Sequence, residues 1–425
     1  MSKGKRYLFF NRALNDIDNI APAIYFLLKS EPSSCVDILI YGDSYDFRED
    51  PNLNFLKNTY PNRVSVTWLG TLLGININWY FSNYLVKFIV KAIGRLFPPK
   101  SVTRVACQLR VSQDKINRLM MNWLIKKNKA SLAVFDQNRS HAVRGLVAAI
   151  RHMGVKHVVS LPVSPFSNVS TLRSVDMLEM DTALIAKKHD YSVFDRVGVV
   201  DRYYLMSLDK AYKAKGMESP LAKLAEPLGS IRYSEEWLEI RQKEKFYPSP
   251  EINKSGKTII TFFLSDPATN VFWDEVVRTI TFISKMPDYK LIIKPHTRHK
   301  PPKLRLPANV TLDSITPSSA LIDQTDIVLF WGSSIALEGY VKGKFMACLD
   351  YVNGNLSVYK IFDAGFIMQH RDDLHLLLLL YRTQSEKIPY NKDGIKNMLR
   401  EIVSCGQGQS ASQQYLKFIR NFTSP

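Results

Sequence analysis

Short apolar runs recur along the chain, separated by longer stretches with helical spacing. In the first half, Arg6–Phe10, Val36–Tyr41, Val64–Leu69, Leu132–Phe135, His157–Leu161 and Val193–Val200 read as strands. Between them Ile17–Lys29, Tyr80–Leu96, Lys115–Lys127 and His141–Met153 repeat apolar residues every three or four positions and read as helices. Such alternation predicts a doubly wound parallel sheet. Ser164–Ser174, rich in Ser, Pro and Asn, predicts a loop.

A second α/β series begins after about residue 250, with strands expected at Thr258–Leu264, Leu291–Ile293, Val310–Leu312, Ile327–Phe330, Phe345–Leu349 and Phe366–Met368. Between the two series the chain runs from Pro227 through a charged helical stretch to Pro248-Ser249-Pro250, which marks a linker. The expected division is therefore 1–245 for an N-terminal α/β domain and 246–408 for a C-terminal one. Residues 409–425 form a last helix, spaced by Tyr415, Phe418, Ile419 and Phe422, that packs back on the first domain.

A length of 425 residues suits two domains of about 200 residues, each able to bury its own core. Met1-Ser2-Lys3-Gly4-Lys5-Arg6 runs directly into the first strand, so no secretory leader is expected. No stretch of about 18 uncharged apolar residues occurs, and no membrane-spanning helix is expected. Cys35, Cys107, Cys348 and Cys405 lie far apart without metal-ligand spacing, and Cys35 and Cys348, at or in apolar strand runs, read as core thiols of a reducing cytosol. The net charge of +18 demands an anionic partner: nucleic acid, an acidic membrane surface or phosphorylated substrates. Zinc-finger spacing, RNA-binding aromatic signatures and a helix-turn-helix are all missing from the sequence, which argues against nucleic acid.

Candidate chemistry concentrates in two segments that follow apolar strands. Lys294-Pro295-His296-Thr297-Arg298 follows Tyr289–Ile293, and Trp331-Gly332-Ser333-Ser334 follows Asp326–Phe330 and opens a helix at Ser333. Open α/β sheets bind ligands at the C-terminal ends of their strands. A Gly-Ser-Ser turn at a helix start offers N–H groups, hydroxyls and a positive dipole end to a phosphate. Lys294, His296 and Arg298 add cationic or imidazole donors, and Glu338, one turn on, offers a carboxylate to both ribose hydroxyls. The plainer alternatives are a loop histidine, serines that cap a helix, and a glutamate that favours the helix dipole.

These motifs resemble those of bacterial surface-polysaccharide glycosyltransferases of the GT-B fold. Lys294-Pro295-His296, then Ser333-Ser334 with Glu338 and Gly339 downstream, is similar to motifs of capsular and lipopolysaccharide Kdo transferases, sialyltransferases and CDP-glycerol glycerophosphotransferases. Gly229-Ser230-Ile231-Arg232-Tyr233 resembles the Gly-Ser-x-Arg element where the first domain of such enzymes hands over to the second. One departure is Thr297, where the His-Pro motif has proline. The resemblance implies two doubly wound Rossmann-like domains facing across a cleft. It also implies inverting sugar transfer from a nucleotide-sugar, with cytidine nucleotides favoured, to a glycan or lipid-linked acceptor. No cofactor and no metal would be required. Rival readings are a CDP-polyol phosphotransferase, a UDP-GlcNAc 2-epimerase-like enzyme and a non-catalytic polyanion- or membrane-binding protein.

Inverting transfer needs a base for the acceptor proton. Asp136, directly after Leu132–Phe135, is the expected base, with His141 as the alternative; both also read as turn or first-turn helix residues. Asp16 follows the first strand and is an acceptor-side candidate. Asp16-Ile17-Asp18 fits an Asp-x-Asp metal pattern but reads better as an acidic helix start. Lys87, Lys91 and Arg95 recur at four-residue spacing among aromatic and apolar residues, as on a helix bound to an anionic membrane surface. The expected location is the inner face of the cytoplasmic membrane.

Overall fold

The computed structural model describes residues 4–12, 14–41, 48–68, 71–72, 75–76, 130–136, 140–162, 190–213, 216–248, 252, 254, 256–265, 270–296, 306–406 and 408–423. The expected helices Tyr80–Leu96 and Lys115–Lys127, the loop Ser164–Ser174, Cys107 and the stripe Lys87, Lys91 and Arg95 all lie outside these residues.

Two compact units divide the chain. The first gathers Met1–Ser164, Leu178–Arg232 and Ser410–Pro425, and the second includes Tyr233–Gln409. Unit 1 is built on β1 (Arg6–Asn11), β2 (Cys35–Ile40), β3 (Val64–Trp68), β6 (Leu132–Phe135), β7 (His157–Ser160), β8 (Arg196–Val199) and β9 (Ala225–Pro227). A short hairpin of β4 (Thr71–Leu72) and β5 (Ile75–Asn76) stands apart from that sheet. The strands of the main sheet run in the order β3-β2-β1-β6-β7-β8-β9, all parallel. The flanking helices are α1 (Leu14–Ser30), α2 (Pro51–Thr59), α3 (Ser140–His152) and α4 (Arg202–Lys213). Unit 2 repeats the plan with β10 (Thr258–Phe263), β11 (Tyr289–Lys294), β12 (Val310–Leu312), β13 (Ile327–Phe330), β14 (Phe345–Leu349) and β15 (Phe366–Met368). Here the order is β12-β11-β10-β13-β14-β15, again all parallel. Its helices are α5 (Glu235–Lys243), α6 (Trp273–Ser284), α7 (Ser318–Gln324), α8 (Ala336–Val341), α9 (Val358–Ile361), α10 (Arg371–Leu380) and α11 (Lys392–Ile402).

Each sheet thus carries the Rossmann strand order. That order reverses between β1 and β6 in unit 1 and between β10 and β13 in unit 2. β6 and β13 are apolar along their whole length, as expected of strands covered by helices on both faces. Tyr7 to Phe10, Leu132 to Phe135 and Ile327 to Phe330 are all inaccessible to solvent. Phe10 and Phe135, register partners on β1 and β6, stack with ring centroids 4.4 Å apart.

Two local findings differ from the sequence reading. β9 was not expected, because Ala225-Glu226-Pro227 shows no apolar alternation. It is an edge strand, where a proline that lacks an N–H is tolerated. Glycine at 198 permits its approach: a Cβ there would come within 2.5 Å of a Leu228 methyl. The unit boundary falls at Arg232/Tyr233, inside the Gly-Ser-x-Arg element, rather than at 245/246. The reason is α5, which belongs to unit 2: its Trp237 is fully buried, and its Arg241 bonds Ser319 and Glu338.

The last helix, α12 (Ala411–Arg420), is a member of unit 1 and starts with a capping box from Ser410 and Gln413. Arg420 pairs with Glu31 at the end of α1 at 3.3 Å, and the Tyr415 hydroxyl donates to the Gly229 carbonyl at 3.3 Å. Among the described residues, no helix is long and apolar enough to cross a membrane.

Candidate functional site

At the C-terminal edge of the second sheet, the chain leaves β13 through Trp331 and Gly332. Gly332 has φ +58, a left-handed conformation that glycine adopts without steric cost. The Ser265 hydroxyl, at the end of β10, donates to the Trp331 carbonyl at 2.6 Å and ties the two central strands together at the point where strand order reverses. A helical turn then starts at Ser333, whose carbonyl accepts from Ala336 N–H at 3.1 Å; Ser334 does the same for Leu337 at 3.2 Å. Regular helix begins only at Ala336, and no serine hydroxyl caps it. This departs from the capping alternative and leaves the Ser333 hydroxyl without a hydrogen-bond partner among the described residues.

Two buried phenols fix the turn from beneath. Tyr359 donates to the Ser333 carbonyl at 2.7 Å, and Tyr233 reaches the Ser334 hydroxyl at 3.4 Å. Burial raises the Tyr359 pKa well above its ordinary value, so this donor stays protonated. Its ring packs edge-on to Phe330 at 4.8 Å. Neither tyrosine stood out in the sequence, because a phenol under a turn has no periodicity. Tyr233 did fall within the Gly-Ser-x-Arg element.

From β11 come Lys294, Pro295 and half-buried His296; Arg298 lies outside the described residues. Lys294 is only 5% exposed, and its ammonium donates to the Thr316 carbonyl. Asp313 in turn accepts from the Ile315 and Thr316 N–H groups at 3.0 and 2.8 Å. Burial lowers the Lys294 pKa against the pull of Asp313. Lys294 therefore pins the Asp313–Thr316 loop, in contrast to the expected phosphate-facing cation.

Glu338 also departs from expectation. Its side chain is 1% exposed and holds Lys342 at 2.8 Å and Arg241 at 3.3 Å, while the Ser319 hydroxyl donates to it at 2.9 Å. Burial alone would raise its pKa, but Arg241 and Lys342 outweigh that and hold the carboxyl at about 2. The position expected to meet ribose is instead the centre of an ion network inside unit 2.

At the corresponding edge of unit 1 stand Asn11, Tyr41 and Asp136, at the ends of β1, β2 and β6. Asp136 N–H donates to the Phe10 carbonyl at 3.2 Å and Tyr41 N–H to that of Asn11 at 2.9 Å, which sets the three side by side where strand order reverses. Tyr41 donates its phenol to Asp136 Oδ1 at 2.6 Å. Asp136 Oδ2 and both amide atoms of Asn11 are buried without a hydrogen-bond partner among the described residues. Buried polar atoms are nearly always satisfied, and unsatisfied ones concentrate where a ligand or water is to be held. Asp136 is 0% exposed, more enclosed than the sequence led us to expect. Asn11 and Tyr41 were missed, although each directly follows an apolar run, the signal that singled out Asp136. His141 lies in α3 and Asp16 in α1, but their side chains lie outside what the structure describes. Asp18, the other half of the Asp-x-Asp pattern, is paired with Arg232 at 3.0 Å and accepts from Asn52 at 3.0 Å.

No protein-family model and no curated protein matches the sequence. Solved structures do share its fold. The UDP-GlcNAc 2-epimerase of Neisseria meningitidis, bound to UDP-GlcNAc, aligns over 98% of this chain and 100% of its own at 12% identity, with a TM-score of 0.54. A glycosyltransferase from Rickettsia africae aligns over 99% and 98% at 11% identity, with a TM-score of 0.53. Anabaena HepE, in complex with UDP and glucose, aligns over 98% and 100% at 10% identity, with a TM-score of 0.52. At such identities the likeness is one of fold: two Rossmann-like units of the GT-B type.

Proposed function

We propose that the chain is a glycosyltransferase that moves a sugar from a nucleotide-activated donor to a glycan or lipid-linked acceptor. The observation that carries this reading is the Gly332-Ser333-Ser334 turn. It lies at the strand-order reversal of unit 2, its backbone is held by Tyr359, and its Ser333 hydroxyl is uncommitted. Rossmann sheets take phosphate-bearing ligands at that point. Of the similar structures named above, one is a glycosyltransferase and the other two hold UDP-GlcNAc or UDP, so UDP stands beside the cytidine nucleotides as donor base. The charge of +18 supports a polyanionic acceptor or an anionic membrane surface as the place of work.

In the proposed reaction an acceptor hydroxyl oxygen attacks the anomeric carbon. The bond from that carbon to the nucleotide phosphate oxygen breaks, and the phosphate leaves with the electron pair. The acceptor proton passes to Asp136, whose Oδ2 is free of protein partners among the described residues while Tyr41 holds Oδ1. Ser333, Ser334 and His296 stabilise the charge that grows on the leaving phosphate.

The test is a thermal shift against CMP, CDP, UDP, GDP and ADP. One nucleotide at a hundred times its Kd should stabilise the protein by about 2.7 kcal/mol. Replacing Ser333 and Ser334 together by alanine should weaken that nucleotide by roughly 10- to 100-fold, as hydrogen bonds to a charged group are lost. Stability of this variant should fall by only about 1 kcal/mol, since neither hydroxyl caps α8 and the bond lost is the one from Tyr233 to Ser334. Shifts that stay the same in the folded double variant would remove the donor assignment. Turnover of a UDP-sugar without any acceptor would move the protein to the epimerases.

His296→Ala should lower turnover by about 100-fold, the usual loss when one donor to developing charge is removed. Affinity for free nucleotide should fall less. Equal losses in steady-state turnover and in calorimetric affinity would assign His296 to ground-state binding instead.

A further inference from the structure

Unit 2 contains a cavity of about 640 Å³ between α5, α7 and α8, lined by Arg241, Lys245, Asp323, Glu338, Lys342 and Lys344. Its volume lies within the roughly 300–1,000 Å³ typical of small-molecule sites. It is separate from the donor turn. Asp323 precedes β13, and Lys342 and Lys344 precede β14, so the cavity lies toward the strand N-terminal ends. Ser333 and Ser334 lie at the opposite end of β13.

Its charges do not balance. Glu338 is shared by Arg241 and Lys342, and Asp323 accepts from Lys342 at 2.7 Å. Two carboxylates thus serve two of the four cations. Lys344 has only carbonyl oxygens, those of Asp323 at 2.8 Å and Thr325 at 3.4 Å, and burial lowers its pKa. Exposed Lys245 has no carboxylate partner among the described residues. A concave surface with two uncompensated cations focuses positive potential inward. The rest of the wall mixes polar Gln242 and Ser319 with Leu238, Pro248 and Tyr247, whose ring lies 5.1 Å from the Arg241 guanidinium.

We propose that this cavity binds a small phosphorylated organic molecule, with its phosphate between Lys245 and Lys344 and its organic part against Tyr247 and Pro248. A phosphomonoester brings about −1.5 to −2 charges at neutral pH, which matches the local excess. The proposal does not depend on the donor assignment.

Glucose 1-phosphate is a suitable probe, titrated by calorimetry at fixed ionic strength into the full-length Ser333→Ala/Ser334→Ala protein, which lacks the hydroxyls of the other phosphate-binding turn. Saturable binding is expected, and adding Lys245→Glu should weaken it at least tenfold. Lys285→Glu, which makes the same change of charge at an exposed position outside the cavity, should leave it unchanged. Lys245 makes no side-chain bond that the fold requires, so this variant should melt like its parent. Absence of saturable binding, equal affinity with and without Lys245→Glu, or equal weakening by Lys285→Glu would each overturn the proposal. The difference in UDP affinity between the wild-type protein and the Ser333→Ala/Ser334→Ala variant, measured separately, reports on the donor turn.

Discussion

Replacing Asp136 by asparagine should lower turnover by roughly 100- to 10,000-fold, the range attributed to a positioned general base. The substitution preserves shape, and the asparagine Oδ1 can still accept from Tyr41. What disappears is the capacity to take a proton. The new amide takes the place of a buried oxygen that had no partner among the described residues, so no existing bond is lost there. Nucleotide affinity should be unchanged, because the donor turn belongs to unit 2. Single-turnover rates with saturating donor, next to calorimetric nucleotide affinity, separate the two effects. Wild-type turnover in Asp136→Asn would place the base elsewhere and make His141 the next residue to replace.

Glu338→Gln should destabilise the protein by roughly 3–5 kcal/mol at neutral pH, the usual result of stripping one partner from a buried ion pair. Arg241 and Lys342 would be left facing a neutral amide in a nearly solvent-free position. The pH dependence should identify the cause. A carboxyl whose pKa is about 2 folded and 4.5 unfolded contributes roughly 3 kcal/mol. Because the folded value is the lower one, this contribution is complete above about pH 4.5. It is lost as the pH falls toward about 2. Melting curves of wild type and variant should therefore be far apart at pH 7 and draw together below pH 4. A constant separation down to pH 2.5 would show that lost packing, rather than lost charge, explains the difference.

Most strands were legible because a buried parallel strand must be apolar throughout. Leu132–Phe135, Ile327–Phe330, Phe345–Leu349 and Phe366–Met368 have the bounds read from the sequence, as does Val310–Leu312, an edge strand exposed over its last two residues. The ends of elements and the fate of charged side chains were less legible. Lys294 and Glu338 follow strands just as ligand-facing residues would. Whether such a side chain turns outward or inward depends on Thr316, Arg241 and Lys342, residues distant in sequence or on another turn. The boundary at Arg232 escaped for a related reason. Prolines 248 and 250 announce a linker, but the bonds of Arg241 to Ser319 and Glu338 tie α5 to unit 2. Asn11 and Tyr41 became visible only once strand order placed them beside Asp136.

The return of α12 to unit 1 bears on how the protein is made. Unit 2 is an insertion within unit 1, because Tyr233–Gln409 precede the segment that pairs Arg420 with Glu31 and Thr423 with Lys5. During synthesis the first unit must wait for its last helix while the whole second unit leaves the ribosome, roughly 10 to 35 s at ordinary elongation rates. In that interval the surface of α1 destined for α12 is uncovered. Unit 2 has all its strands in hand and can complete its sheet first. Vectorial synthesis thus favours the later-translated unit as the first to be finished, and the first-translated unit is closed by a helix made after it.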